Sequence, residues 1–158
     1  SAYGYKGLGD VFVFIFFGWV SVIGSYMLYT QHFSWLVLLP ASACGMLSMG
    51  VLNLNNMRDI ENDQQMGKHT IPVKIGLSLA KYYHYLLIII AMCLMMCYTI
   101  LTFEFRYKAL YIIAFVPLVF HLFYVRRVEE PKDFDSQLKV VALSTFLMSI
   151  LFFVGKLI

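Results

Sequence analysis

The sequence carries little charge. Asp, Glu, Lys and Arg make up 13% of its 158 residues, about half the share of a soluble domain. Hydrophobic residues make up 61%, and a water-soluble fold of this length has too little interior to bury that much apolar surface. The net charge of +3 is small and scattered along the chain, which argues against nucleic acid as a partner. These shortages indicate that lipid surrounds most of the chain.

The sequence also lacks the features of disulfide-rich, multidomain and β-barrel proteins. Its three cysteines all lie inside apolar stretches, where small packing residues are expected. No linker rich in Ser, Pro or Gly divides the chain, so we expect a single transmembrane domain over residues 1–158. Apolar and polar residues do not alternate as they would in a lipid-facing barrel. We therefore expect an all-α integral membrane protein.

Five apolar segments are long enough to cross a bilayer as helices, which takes about 20 residues each. The second is rich in Ala, Ser and Gly, which predicts close packing inside a bundle. The third is bulky and aliphatic, as a lipid-facing helix is, and Pro117 predicts a kink in the fourth. The segments cover residues 11–30, 35–54, 82–103, 109–125 and 138–158, and a polar connection over residues 55–81 separates the second from the third.

Basic residues are divided unequally between the two sides of the membrane that five spans define. Nine fall on the side of the N-terminal residues and of the 55–81 connection, and three fall on the other side. Cytoplasmic connections carry the excess of Lys and Arg in membrane proteins. We therefore expect the 55–81 connection to face the cytoplasm.

A run of amides and carboxylates opens this connection, reading NNMRDIEND over residues 55–63. If the second helix continues through it, Asn55, Asp59 and Asp63 fall at i, i+4 and i+8 on one face, with Asn56 one step round. Oxygen ligands of this kind suit Mg²⁺, which completes its coordination with water and substrate phosphates.

The sequence GKHT follows over residues 67–70, and Gly67 is a natural end for the helix. Beyond it, the ammonium of Lys68 could neutralise phosphate charge that a metal leaves uncovered. A solvated connection between two spans would account for the same residues, because a DxxxD pair is short and common. Asparagines at a bilayer edge cost free energy unless they have partners, which favours a built site.

The motifs, taken in order, resemble the UbiA superfamily of membrane prenyltransferases. The 55–63 and 67–70 motifs, with VKIG at residues 73–76, are similar to the second Asp-rich motif of that family. The sequences YGYKGLGD at 3–10 and FFGW at 16–19 are similar to the loop and start of its fifth span. The similarity covers essentially the whole chain and is closest to the members that act on 1,4-dihydroxy-2-naphthoate in menaquinone synthesis.

The resemblance implies a bundle of about nine helices with two Asp-rich motifs. This chain has five spans and the second motif only, so we expect it to be the C-terminal part of such a bundle. The N-terminal helices of the same enzyme would then be its partner, and we expect the five-helix chain alone to be inactive.

The resemblance also implies the chemistry. A polyprenyl group would pass from prenyl diphosphate to 1,4-dihydroxy-2-naphthoate with loss of CO₂, giving demethylmenaquinone, in a bacterial inner membrane and with Mg²⁺ as cofactor. Asp59 and Asp63 would be the catalytic metal ligands, with Asn55 in support, and Lys68 would contact diphosphate. The further candidate substrate contacts are Asn56, Lys6 and Arg58.

Alternatives remain for several of these assignments. Lys6, with Asp10, also fits an ordinary interfacial loop, and Arg58 fits an ion pair at a helix surface. Another UbiA branch, acting on 4-hydroxybenzoate or in haem O synthesis, would carry similar motifs. A non-catalytic transport or docking module would also place polar residues between spans, although transporters usually carry them at midplane in broken helices.

Two further polar features are expected to have no chemical role. His84 and His121 stand singly within apolar spans and His32 beside one, and packing or interface positions account for all three. The 126–135 connection mixes both charges, as a solvated loop does.

Overall fold

The computed structural model describes residues 7–103 and 106–158, with side chains from residue 109 onward in the second range. Every regular element in these ranges is a helix, and five are long and apolar enough to cross a membrane. This confirms the predicted all-α membrane fold. The spans are α1 (Gly9–Thr30), α2 (Trp35–Arg58), α4 (Ile71–Leu101), α5 (Ala109–Arg127) and α6 (Pro131–Leu157), and the short helix α3 (Ile60–Gln65) lies between α2 and α4.

Most of the 55–81 connection is helical rather than irregular. Helix α2 runs on to Arg58, and α4 begins at Ile71, well before the apolar segment that the sequence marks from residue 82. Gly76 breaks the early part of α4 with φ 81° and ψ 160°, a conformation that a residue with a Cβ rarely adopts. Lys74, Gly76 and Lys81 interrupt the apolar residues in the first part of α4, so this part does not extend the continuous apolar run that marks the span.

Helix α1 packs closely on α2 along a short stretch. It is π-helical over Phe14–Ile23, and Gly18 is buried against α2. A Cβ added at Gly18 would lie 2.8 Å from the carbonyl oxygen of Ala41 and 2.9 Å from the Cα of Gly45. The two helices therefore approach backbone to backbone, and only glycine fits at this contact.

Helices α2 and α4 form the centre of the bundle. The small residues of α2 are buried, as predicted; they include Ala41, Ala43, Gly45 and Gly50. The prediction that the third span faces lipid holds for one face only. That face exposes Leu86, Ile89 and Ile90, while the opposite face buries Ala80, His84, Leu87 and Ile88. An aliphatic run is equally suited to lipid and to a protein core, so composition alone does not separate the two faces.

The fourth span is distorted before its proline rather than at it. Residues Arg106–Ala114 form a 3₁₀ helix, and the chain becomes α-helical at Phe115. Pro117 therefore lies in the first α-helical turn, where a missing N–H costs no intrahelical hydrogen bond.

A buried polar chain links α4, α5 and α6. The Nε2 atoms of His84 and His121 are 2.7 Å apart, and His121 Nδ1 lies 2.7 Å from Gln137 Oε1. All three side chains are buried. Both histidines therefore occupy packing positions, and the structure adds a direct hydrogen bond between them, which helps to fix three helices inside a membrane.

Five helix ends meet at one end of the bundle, which we call the motif end. Here Arg58 at the end of α2 pairs with Asp135 at the start of α6. The ammonium of Lys81 in α4 donates to the carbonyl of Val128, just beyond α5. Asp10, at the start of α1, accepts a hydrogen bond from Tyr83 of α4 at 3.1 Å.

Candidate active site at the motif end

The polar run at residues 55–63 continues the course of α2 almost without a break. The N–H of Asp59 donates to the carbonyl of Asn55 at 3.0 Å, and the N–H of Asp63 donates to the carbonyl of Asp59 at 2.8 Å. Both are i to i−4 bonds, so helical geometry persists across the junction at Asp59. The three side chains consequently keep the spacing that the sequence predicts.

Gly67 then turns the chain back onto the helix that it leaves. Its φ is +68°, and its N–H donates to the carbonyl of Gln64 while the N–H of Lys68 donates to the carbonyl of Asp63. This pair of bonds is a Schellman motif, which needs a left-handed residue at the helix end. The turn brings the ammonium of Lys68 to 2.7 Å from Asp63 Oδ1.

These residues surround a cavity of about 210 Å³. It lies between the start of α1, the end of α2, α3 and the residues leading into α4. The structure brings together four predicted oxygen donors and the predicted lysine, although their roles remain predictions. The lining residues are Gly7, Gly9, Asp10, Leu52, Asn55, Asn56, Asp59, Asp63, Lys68 and Thr70.

Arg58 holds one side of this site in place. Its guanidinium makes two hydrogen bonds of 2.8 Å to the carboxylate of Asp59 and a third of 2.8 Å to Asn55 Oδ1. A fourth bond of 2.6 Å reaches Asp135 of α6. The bonded guanidinium holds the pKa of the Asp59 carboxyl below its usual range, which keeps this carboxylate ionised and oriented.

Asp63 lies deeper than Asp59. Its side chain is 4% exposed, against 35% for Asp59, and Lys68 is its ion-pair partner. Thr70 is also buried beside the cavity, and its hydroxyl has no hydrogen-bond partner in the part of the chain that the structure describes. A buried hydroxyl without a partner is costly, and a bound ligand or water would relieve that cost.

Gly7 lines the cavity and packs closely against the residues that lead into α4. Gly7 has φ +73°, and a Cβ there would lie 2.5 Å from the carbonyl oxygen of His69 and 2.6 Å from Lys74 Nζ. This close approach places Asp10 in the cavity wall, 4% exposed. The structure thus brings Asp10 into the site, whereas Lys6 lies outside the described residues.

Sequence reasoning missed three members of this arrangement. Asn53 donates to the carbonyl of Ala80 at 3.1 Å and so ties α2 to α4. Thr70 follows the predicted lysine and carried no signal of its own. Asp135 was assigned to a solvated loop, yet it binds the arginine that orients Asp59.

An apolar groove of about 690 Å³ adjoins the cavity. Leu52 and Asn55 line both spaces, so the polar site opens directly onto an apolar surface. The groove runs between α1, α2 and α6, and its remaining lining residues are Val13, Phe17, Ser48, Val51, Leu138, Lys139, Ala142 and Thr145.

Fold and site together define a class: a helical membrane protein with a carboxylate-rich polar cavity at one end of its bundle and an apolar groove beside it. The profile of the UbiA prenyltransferase family matches residues 1–153. The chain belongs to this family, which confirms the resemblance found in the sequence.

Relatives from three bacteria are similar to the chain. It is 36% identical to 1,4-dihydroxy-2-naphthoate octaprenyltransferase of Escherichia coli (strain K12), covering 97% of this chain and 50% of the relative. It is 35% identical to the Haemophilus influenzae protein of the same name, covering 99% and 51%. It is 28% identical to 2-carboxy-1,4-naphthoquinone phytyltransferase of Synechocystis, covering 85% and 43%.

The chain therefore spans about half the length of the curated relatives that it matches most extensively. No solved structure matches it.

Proposed function

We propose that this chain forms one half of the active site of an enzyme that transfers a polyprenyl group from prenyl diphosphate to 1,4-dihydroxy-2-naphthoate. The observation that carries the proposal is the cavity itself, in which paired carboxylates, amides and a lysine lie at the mouth of an apolar groove. A prenyl diphosphate has the same two-part character, with a dianionic or trianionic head and a long apolar tail. The names of the similar relatives support the choice of acceptor.

The donor set fits Mg²⁺ in part. Asp59, Asp63 and Asn55 supply carboxylate and amide oxygens to one cavity, and Mg²⁺ in phosphate sites is typically held by one or two carboxylates, with water and substrate oxygens completing its shell. Within the described ranges, no group of three or more His, Cys, Asp and Glu side chains is placed to hold a metal ion. When bound, Mg²⁺ would neutralise charge on the diphosphate leaving group.

The chain's own cations would bind and orient the substrate. Lys68 pairs with Asp63, and both side chains line the cavity, so the lysine ammonium would donate to a diphosphate oxygen there. Thr70 offers a buried hydroxyl for a further oxygen. Arg58 stays engaged with Asp59, Asn55 and Asp135, and its role is to position the carboxylate rather than to contact substrate.

The proposed transfer needs no further reactant and yields the hydroquinone, demethylmenaquinol; oxidation to demethylmenaquinone is a separate two-electron step. The allylic C–O bond breaks, and its electron pair leaves with diphosphate. The ring carbon that bears the carboxylate forms the new C–C bond, and CO₂ then departs, returning its bonding electron pair to the ring. Fixed cations beside the diphosphate stabilise the charge that develops as the C–O bond breaks.

The apolar groove between α1, α2 and α6 is the proposed path of the prenyl chain. Its walls are almost entirely apolar, and Leu52 and Asn55 join it to the polar cavity. The N-terminal half of the enzyme would cover this groove and supply the remaining metal ligands, because the similar relatives are about twice as long as this chain. The isolated chain should accordingly be inactive.

We also propose that the motif end faces the cytoplasm of a bacterial inner membrane. The excess of basic residues at this end supports that orientation. A Glu130→Cys variant in intact cells should resist a membrane-impermeant thiol reagent and react only after the membrane is opened. Labelling in intact cells would reverse the proposed orientation.

The test of function uses the full-length protein with a polyprenyl diphosphate and carboxyl-labelled 1,4-dihydroxy-2-naphthoate. We expect Mg²⁺-dependent formation of the prenylated product with one labelled CO₂ released for each transfer. Omission of Mg²⁺ with a chelator present should abolish both. Transfer to 4-hydroxybenzoate alone would assign the protein to another branch of the family, and failure to bind prenyl diphosphate would refute the proposal as a whole.

A further inference from the structure

A second polar cleft lies at the motif end, on the outer surface of the bundle between α4 and α5. Its volume is about 450 Å³, and its lining residues are Ser78, Lys81, Tyr82, Tyr85 and Arg126. None of them lines the candidate active site or the apolar groove. The cleft is therefore separate from the proposed site of prenyl transfer.

Helical spacing creates this cleft. Ser78, Lys81, Tyr82 and Tyr85 fall at i, i+3, i+4 and i+7 and so share one face of α4. Arg126 lies in the last turn of α5 and faces them across the cleft. Two cations and three hydroxyls thus converge from two helices.

Lys81 is held in place by contacts that leave its charge unneutralised. Lys81 donates to the carbonyl of Val128, and its Nζ lies 5.9 Å from the ring centroid of Phe134. A lysine ammonium has three N–H donors and an arginine five, so most of the donors at this cleft are available to a ligand. No Asp or Glu in the described part of the chain pairs with Lys81 or Arg126.

The hydropathy of α4 and α5 predicts that the cleft lies at the depth of lipid phosphate groups. From Tyr82 to Leu101, α4 is apolar for a length that matches the hydrocarbon core, about 30 Å. Lys81 is the last charged residue before this run, and Arg126 is the first after the apolar part of α5. Tyrosines at this depth are typical of the membrane interface.

We infer that this cleft binds the headgroup of an anionic phospholipid, whose phosphodiester oxygens accept hydrogen bonds from Lys81 and Arg126. Basic pockets between membrane helices recognise such headgroups. The acyl chains would lie along the exposed face of α4 below the cleft, where Leu86 and Ile89 are 57% and 44% exposed. A free phosphate ion shares the anionic chemistry, yet it would leave this adjoining apolar face unused.

The experiment measures lipid binding to the full-length protein by native mass spectrometry in detergent, with added phosphatidylglycerol or phosphatidylcholine. The double variant Lys81→Gln, Arg126→Gln should bind phosphatidylglycerol about thirtyfold more weakly, the effect of removing two interfacial cations. The matched control Arg127→Gln, Lys132→Gln removes two charges of the same sign outside the cleft and should bind within about twofold of the parent. Phosphatidylcholine should bind the parent more weakly than phosphatidylglycerol.

A single variant distinguishes weaker lipid binding from misfolding. Arg126→Gln leaves the contacts of Lys81 intact and should weaken phosphatidylglycerol binding about fivefold, with an unchanged elution volume in size-exclusion chromatography. Equal weakening by the cleft and control pairs, or equal binding of the two lipids, would overturn the inference. Displacement of the lipid by excess inorganic phosphate would overturn it in favour of a phosphate site.

Discussion

The two ends of the bundle differ in the number of ion pairs that they contain and in the polarity of their cavities. All three ion pairs within the described residues lie at the motif end, around a cavity in which Asp10, Asn56, Asp63 and Thr70 are all buried. The opposite end encloses a larger cavity of about 570 Å³ with mainly apolar and aromatic walls. Both ends border the membrane, so their position alone does not explain the difference.

This comparison bears on the choice between an active site and a solvated connection. A solvated connection would expose its carboxylates to water and leave them mobile. Here Asp63 is buried, and Asp59 accepts two hydrogen bonds from the Arg58 guanidinium, which also donates to Asn55 and Asp135. Burying charged groups costs desolvation free energy unless paired groups compensate it. Proteins often keep such buried, paired carboxylates at functional sites, which favours a binding site over a solvated connection.

The largest expected effect comes from removing the buried charge at the motif end. In the full-length protein, Asp63→Asn should lower Mg²⁺-dependent prenyl transfer about a hundredfold or more, because metal-assisted charge stabilisation is worth several kcal/mol. Asparagine keeps the shape of the side chain but replaces the negative charge and one acceptor oxygen by a neutral NH₂ donor. Glu61→Gln, two residues away and exposed, is the matched control and should retain activity. Activity of the Asp63→Asn protein within threefold of the parent would remove Asp63 from the metal site.

The next largest effect is expected on stability, at the close contact of Gly18 in α1 with the backbone of α2. Gly18→Ala should destabilise the full-length protein by about 1–3 kcal/mol, because the new methyl group meets the backbone of α2. Gly24→Ala, in the same helix, has nothing within 4 Å of the new Cβ and should be neutral or slightly stabilising. Thermal unfolding in detergent measures both. Equal melting temperatures for the two variants would contradict the close approach of α1 and α2.

Much of this architecture was predictable from the sequence, because apolar run length determines the number of spans and helical spacing determines which motif residues share a face. Asn55, Asp59 and Asp63 line one cavity for that reason. The start of α4 was not predictable, since Lys74, Gly76 and Lys81 divide residues 71–81 into pieces too short to stand out as part of an apolar helix.

The supporting contacts were out of reach for a different reason. Arg58 and Asp135 are 77 residues apart in the chain, and Asp10 and Tyr83 are 73 apart. No local pattern reports on such pairs, because they depend on how five helices pack. The sequence therefore predicts the oxygen donors of the site but not the long-range hydrogen bonds and ion pairs that hold them in position.

Substitution of Asp135, which pairs with Arg58, is expected to have a smaller effect on the Mg²⁺ response at the motif end. Asp135→Asn should raise the Mg²⁺ concentration needed for half-maximal transfer by about threefold, because Arg58 loses its partner on α6 while keeping Asp59. The effect is modest because Asp135 is 65% exposed, and such pairs contribute about 0–1 kcal/mol. Asp133→Asn, in the same connection, is the control, and Asp135→Glu should restore the parental Mg²⁺ response. An effect on melting temperature alone, with an unchanged Mg²⁺ response, would reduce Asp135 to a structural role.

The smallest effect is expected at the opposite end of the bundle, where a loss of prenyl transfer would contradict the comparison most directly. Among the residues whose side chains the structure describes, Lys156 is the basic one that lines the cavity there. Its Nζ lies 4.9 Å from the ring centroid of Tyr98 and 5.6 Å from that of Phe152. Lys156→Gln should cost about 0.5–1 kcal/mol of stability through the lost cation–π contacts and leave prenyl transfer within about twofold of the parent. Transfer assays beside the Asp63→Asn protein measure the contrast directly. A tenfold loss of prenyl-transfer activity in the Lys156→Gln protein would mean that substrate reaches the opposite end as well. The two ends would then not differ in function.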